Sequence, residues 1–157
     1  MKKYEILAEL SAFCRKYDIP KHVVTISYGA ASVIIGTKRD TGDINTFIPR
    51  DHYERLKDLG LCTKVHDCCP GEIPPVEVVY EGNVEFHCIE PHARKDFNEC
   101  NGFRVVTPKQ LILDRLALGR KKDMADVGKM IYHPAVRRLL NREEVERCKI
   151  LFKKHSL

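Results

Sequence analysis

The sequence is short of several things at once. No apolar run approaches the roughly 20 residues that span a bilayer, so no membrane helix is expected. The opening Met1-Lys2-Lys3-Tyr4-Glu5 carries charge immediately and has no uninterrupted apolar core, which argues against a signal peptide. There is no internal repeat, no low-complexity linker and no Cys-x2-Cys knuckle. The seven cysteines are odd in number and come without a secretory pattern, so reduced thiols and a cytoplasmic location are expected. A large excess of one charge is missing too. A net +5 favours an anionic partner such as nucleotide or RNA, yet lies well below what a dedicated nucleic-acid binder carries.

What is present suits a globular chain. Charged residues make up 31% and apolar residues 43% of the 157, enough for one compact domain or a sheet core with a helical appendage. Ile6, Leu7, Leu10, Phe13, Cys14 and Tyr17 recur at helical spacing and predict a helix over 3–17, ended by Pro20. Val23-Val24-Thr25-Ile26 reads as a short buried strand stopping at Gly29, with a helix over 30–35 behind it. Residues 43–48 read as a second strand. A helix through Tyr53, Leu56 and Leu59 follows, with Gly60 as its C-terminal cap. The stretch "CTKVHDCCPGEIPP" is turn-rich and ambiguous, and "VEVVYEGNVEFHCIE" predicts two strands joined at Gly82-Asn83. Thr107-Pro108-Lys109-Gln110 is a capping box with proline at the first helical position. Helices then follow to Leu118, over 121–131, after Pro134 and over 143–154. The expected plan is an α+β core over 1–106 and a helical subdomain over 107–157.

Chemistry concentrates in "YGAASVIIGTKRDTGDIN". Period-2 geometry puts Asp43 and Asn45 on one face of their strand, so two oxygen donors point into one place. Mg²⁺ takes such donors and completes its shell with water and substrate phosphates. Gly29 lets a triphosphate approach the backbone, where the start of the next helix offers free N–H groups. Lys38 and Arg39 stand in the following loop, able to neutralise phosphate oxygens. A P-loop is excluded, because Gly36 is wrongly spaced from Gly29 and Thr37 precedes Lys38.

This arrangement resembles the DNA polymerase β-type nucleotidyltransferase superfamily, and within it the small bacterial toxin or abortive-infection-type branch. Tyr28-Gly29-Ala30 matches its glycine element, and Arg39-x-Thr41-x-Asp43 its acidic element. The resemblance covers residues 23–131 and implies a mixed sheet flanked by helices. It implies Asp43, Asn45 and Glu85 as catalytic and metal-binding residues for Mg²⁺ or Mn²⁺, with Glu77 the fallback carboxylate. It implies Gly29, Ala30, Lys38, Arg39, Thr41, Lys122 and Asp123 around a nucleoside triphosphate, with Asp126 nearby. The implied reaction moves a nucleoside monophosphate from NTP to an acceptor (RNA, protein or small molecule). The branch further implies an antitoxin-like partner. Two positions depart from the pattern: Ala30 stands where a second glycine or serine is usual, and Asn45 where a second acid is. Asparagine keeps a carbonyl oxygen but removes the charge that offsets repulsion between two metal ions roughly 3.5–4 Å apart. The alternative is therefore a degenerate module of the same fold that binds nucleotide, RNA or a partner without turnover.

Each residue also has a plainer reading. Glu85 fits an exposed alternating strand, and Lys122, Asp123 and Asp126 fit a solvated helix face. Cys62, His66, Cys68, Cys69, His87 and Cys88 invite zinc, but their spacing favours buried thiols and surface histidines. The helices around "MADVGKMIYHPAVRRLL" do not line up basic residues on one recognition face as a helix-turn-helix would.

Overall fold

The computed structural model describes residues 1–67, 70–71, 74–89 and 95–156. Cys68 and Cys69, part of the stretch weighed for zinc, lie outside them.

Helix α1 spans Lys3–Tyr17 and buries Ile6, Leu7, Leu10, Phe13 and Cys14, the stripe its periodicity predicts. A single 3₁₀ turn, Lys21–Val23, leads into strand β1, Thr25–Ser27. The strand starts two residues later than the β-branched run suggests, because that turn takes up Val23. Helix α2, Tyr28–Ile35, begins directly after it, and Gly36 at φ 97 closes it with an N–H bond to the Ser32 carbonyl. Strand β2, Ile44–Pro49, runs into helix α3, Arg50–Asp58. The ambiguous stretch contains a strand after all: β3 covers Cys62–His66. The hairpin of β4, Val76–Glu81, and β5, Val84–Ile89, turns at Gly82 with φ 58, as expected. A second hairpin, β6 at Phe97–Cys100 and β7 at Phe103–Val106, adds two strands that the sequence pattern does not announce. Four helices finish the chain: α4, Pro108–Leu118; α5, Lys121–Tyr132; α6, Pro134–Leu139; and α7, Arg142–Ser156.

Thr107 caps α4, its hydroxyl accepting the Gln110 N–H at 3.1 Å. The reciprocal half of the expected capping box is absent. The Gln110 side chain instead accepts the Asp96 N–H and donates to Asp114, and the Thr107 N–H goes to the Asp96 carbonyl. The start of α4 is thereby tied to the segment before β6.

Among the described residues, seven strands form one mixed sheet in the order β3-β4-β5-β2-β1-β7-β6. Strands β1 and β7 run parallel, as do β2 and β5, and the other neighbours are antiparallel. The pleat gives the sheet two different faces. On one, Ile44 and Ile48 of β2 and Phe86 of β5 are fully buried, and Phe13 of α1 packs on Phe86 at 4.5 Å. On the other lie the half-buried Asn45, Phe47 and Pro49. Helix α2 packs on β1 and β2 and meets α4, which in turn carries α5 and α7, so one hydrophobic core runs from α1 to α7. The α+β class, the mixed sheet flanked by helices and the closing helical segment expected from the sequence are all present.

Candidate functional site

The site is built where β1 gives way to α2. Tyr28 takes φ 48, a left-handed conformation that costs a non-glycine residue about 1–2 kcal/mol. That sharp turn delivers Gly29 into the first turn of α2. The loop after Gly36 is then drawn back, with the N–H groups of Thr37 and Lys38 bonding to the Ser32 carbonyl at 2.9 and 3.3 Å. The result is that Thr41 Oγ1 lies 2.9 Å, and Lys38 Nζ 3.5 Å, from where a Cβ on Gly29 would stand. Only glycine leaves room for that loop. The Thr41 hydroxyl also faces Asp43, 3.2 Å from its carbonyl and 3.4 Å from Oδ1. Asp43 itself is exposed, as are Lys38 and Arg39. Gly29, Lys38, Thr41 and Asp43 thus meet at one helix start.

Beside them runs a polar row across the sheet. The antiparallel register sets Ser27 opposite Asn45, and the parallel register sets Asn45 beside Glu85. Tyr80 and Cys62 extend the row onto β4 and β3. Paired residues share a face, so Ser27, Asn45 and Glu85 all belong to the half-open one. The Ser27 hydroxyl is fully buried and has no hydrogen-bond partner among the described residues. Asn45 Oδ1 lies 3.4 Å from His87 Nε2.

Glu85 is not a free carboxylate. It is 6% exposed, forms an ion pair with Lys64, and bonds His66 Nε2 at 3.0 Å. Burial pushes its carboxyl up, but Lys64 and His66 outweigh burial and hold it below the usual carboxylate range. His87 is lowered as well, but by burial itself, which takes its imidazole to about 4 despite the opposing pull of Glu85. The His66 and His87 rings stack at 6.1 Å with planes 8° apart, and Phe47 closes on His87 at 4.9 Å. Sequence reasoning missed Lys64 and His66 as partners of Glu85 because no apolar alternation marks β3 as a strand. His87 was legible as the next side chain on the face of Glu85, two residues on.

The remaining expected site residues lie elsewhere. Ala30 is fully buried in the core, so its methyl packs rather than faces a ligand. Glu77 belongs to the opposite face of β4, bonded to Tyr53 at 2.8 Å and paired with Lys57 at 2.9 Å, which removes it as a fallback carboxylate. Asp123 is completely buried, held by Arg120 Nε at 2.6 Å and Arg115 at 3.1 Å, and so anchors α5 to α4 instead of facing solvent. Its neighbour Lys122 is exposed, and the partly exposed Asp126 completes the Arg115 cluster at 3.4 Å.

A paired-metal centre does not fit this donor set. Asp43 offers one carboxylate, Asn45 is neutral, and Glu85 is already countered by Lys64. No group of three described His, Cys, Asp or Glu side chains is arranged to hold a metal ion. One Mg²⁺ sharing Asp43 with the phosphates of a bound nucleotide does fit, since that ion is commonly held by one or two carboxylates plus substrate. A separate cleft of about 1180 Å³ opens along the same face of β1, lined by Thr25, Lys95, Phe97, Arg104 and Lys109 among others. No described helix is long and apolar enough to cross a membrane.

No protein-family model matches the sequence, and no curated protein matches it. Among solved structures, the chain is similar to ANT(2")-Ia in complex with adenylyl-2"-tobramycin, at 14% identity and TM-score 0.48 over 98% of each chain. It is also similar to JHP933 from Helicobacter pylori, at 11% identity and TM-score 0.40 over 96% of this chain and 91% of that one. Both likenesses are of low identity and loose superposition, so the functional reading rests on this chain's own residues.

Proposed function

We propose that this chain is a nucleotidyltransferase-like module that binds a nucleoside triphosphate at the start of α2. The phosphates lie at the exposed rim of that helix start, against Lys38 and Arg39, because Thr41 already fills the space over the buried Gly29. A single Mg²⁺ or Mn²⁺ is shared between Asp43 and those phosphates. The observation that carries this reading is the convergence of Lys38 and Thr41 on Gly29, with Asp43 hydrogen-bonded to Thr41. Helix-start N–H groups and an ammonium supply the positive field a triphosphate requires. The buried Ser27 hydroxyl in the row, without a hydrogen-bond partner among the described residues, supports a polar ligand there.

Within this reading the module binds nucleotide without transferring it. In-line displacement relies on cations to stabilise both the attacking and the leaving oxygen. Here the second carboxylate is an amide and the third is bound to a lysine. A second reading, transfer of a nucleoside monophosphate to a hydroxyl acceptor, is favoured by one feature. The register places Asn45 directly beside Glu85, as a metal-binding pair would require. The toxin-like branch and an antitoxin-like partner belong with that second reading.

Calorimetry with NTP and Mg²⁺, run beside incubation of the protein with labelled NTP and RNA or protein acceptors, separates the two. Binding weakened about tenfold or more by Lys38→Ala, with no label transferred, is the expected result. Label on an acceptor that disappears in Asp43→Ala establishes transfer instead, and absence of any NTP binding removes both readings.

A further inference from the structure

The positive charge is unevenly placed along the chain. Residues 107–157 hold thirteen Lys and Arg against six Asp and Glu, a net +7, which leaves residues 1–106 at −2 within the total of +5. A second feature picks out one place where that charge gathers around an exposed ring. Tyr132, at the end of α5, is 63% exposed, and its ring is flanked by two cations: Arg137 of α6 at 5.8 Å and Lys149 of α7 at 5.6 Å. Beside the ring lies a shallow hollow of about 330 Å³, whose lining includes Arg137, Arg142 and Lys149 and a single acid, Glu146.

We propose that this face, where α5, α6 and α7 meet, docks a single-stranded polynucleotide. A backbone phosphate sits in the hollow between Arg137, Arg142 and Lys149, and an unpaired base stacks on Tyr132. Cations track phosphate without regard to sequence, and an exposed aromatic accepts any base through its π-face. A folded acidic protein surface would use the charge and leave the ring idle. A lipid surface fits worse, because it calls for an apolar helix face to enter the acyl boundary. On α7, Val145 and Cys148 are buried and Leu151 and Phe152 pack against the core, which leaves Ile150 and, on α6, Leu139 as exposed apolar side chains among the cations instead of a continuous apolar face. The inference stands apart from the nucleotide site, sharing no residue with it.

The test is fluorescence anisotropy with a labelled 12-nucleotide single-stranded RNA across a salt series. The wild-type chain is expected to bind with a falling log–log salt dependence. Tyr132→Ala is expected to weaken binding at least fivefold, while Tyr132→Phe stays within about twofold, since stacking on an aromatic ring carries the difference. Arg137→Ala with Arg142→Ala is expected to lower the salt slope by about 0.7 for each phosphate that is no longer neutralised. Because these side chains are exposed, NTP binding and the unfolding midpoint of Tyr132→Ala should match wild type. Absence of RNA binding, equal affinity of Tyr132→Ala and wild type, tighter binding of an RNA duplex of the same length, or binding to phosphatidylserine vesicles but not RNA would each overturn the proposal.

Discussion

Asn45 stands between Ser27 and Glu85, and the charge it lacks is compounded by the way Glu85 is held. A carboxylate that is 6% exposed and paired with both Lys64 and His66 can offer little to a metal ion unless those pairings break. The first obstacle is one side chain, and the largest single part of the second is Lys64. Asn45→Asp combined with Lys64→Ala should therefore raise Mn²⁺ affinity in the presence of NTP by about tenfold or more, read by electron paramagnetic resonance. Unchanged affinity in the double variant would place the limit elsewhere. His87 adds a pH signature. Its folded value of about 4 lies below the ordinary 6.5, so between those values the unfolded chain binds a proton that the folded one refuses. The stability gained by keeping it neutral is complete above pH 6.5 and is lost as pH falls toward 4, by up to about 3 kcal/mol. Glu85 works in the same direction further down, since its lowered carboxyl loses its ion pairs as pH drops through its folded value. His87→Gln should flatten the decline in urea midpoint between pH 6.5 and 4. Parallel profiles for the variant and wild type would contradict burial of a neutral imidazole.

At the scale of elements, the loop over α2 and the joint between α4 and α5 carry the most consequence. Gly29→Ala puts a methyl 2.9 Å from Thr41 Oγ1, and Thr41 is itself buried. The loop must move, at a cost of about 1–3 kcal/mol, and with it Lys38 and Asp43. Thermal unfolding and NTP calorimetry should fall together in that variant. Asp123→Ala leaves Arg115 and Arg120 facing each other without their shared counter-charge. The expected loss is about 3–5 kcal/mol in urea unfolding, with no direct effect on the nucleotide site. Helices were the most legible part of the sequence, because 3.6-residue periodicity and strong punctuation such as Pro20, Gly60 and Pro134 mark them locally. Strands were legible only where alternation was clean. The β6–β7 hairpin escapes such a reading although Asn101-Gly102 takes φ 50 and 85, the pairing that two-residue hairpins favour. Its strands are four residues each, and β6 is mostly exposed, which leaves little alternation to read. Strand β3 has all but its last residue exposed and so shows no apolar pattern at all.

For the whole molecule, topology decides which sequence-level candidates become neighbours. Gly29, Lys38, Thr41 and Asp43 are near in sequence, and their convergence was readable in the spacing of one motif. Glu85 joins Asn45 only through parallel pairing of β5 with β2, and Lys64 reaches Glu85 only because β3, β4 and β5 run antiparallel in succession. Such long-range neighbours leave no local trace in a single sequence. The same limit explains Asp123, which looks like a surface residue along the helix and is buried only because Arg115 of α4 lies against it. Charge is divided at this scale as well, acidic on balance in the sheet-bearing part and basic in the closing helices. A nucleotide at α2 and a polynucleotide at the α5–α7 face would then occupy different parts of one fold. The measurement that bears most directly on the nucleotide site is the number of Mn²⁺ ions bound per chain at saturating non-hydrolysable NTP. One ion per chain, lost in Asp43→Ala, is the expected count. Two ions per chain, or none, would contradict a single-metal nucleotide site.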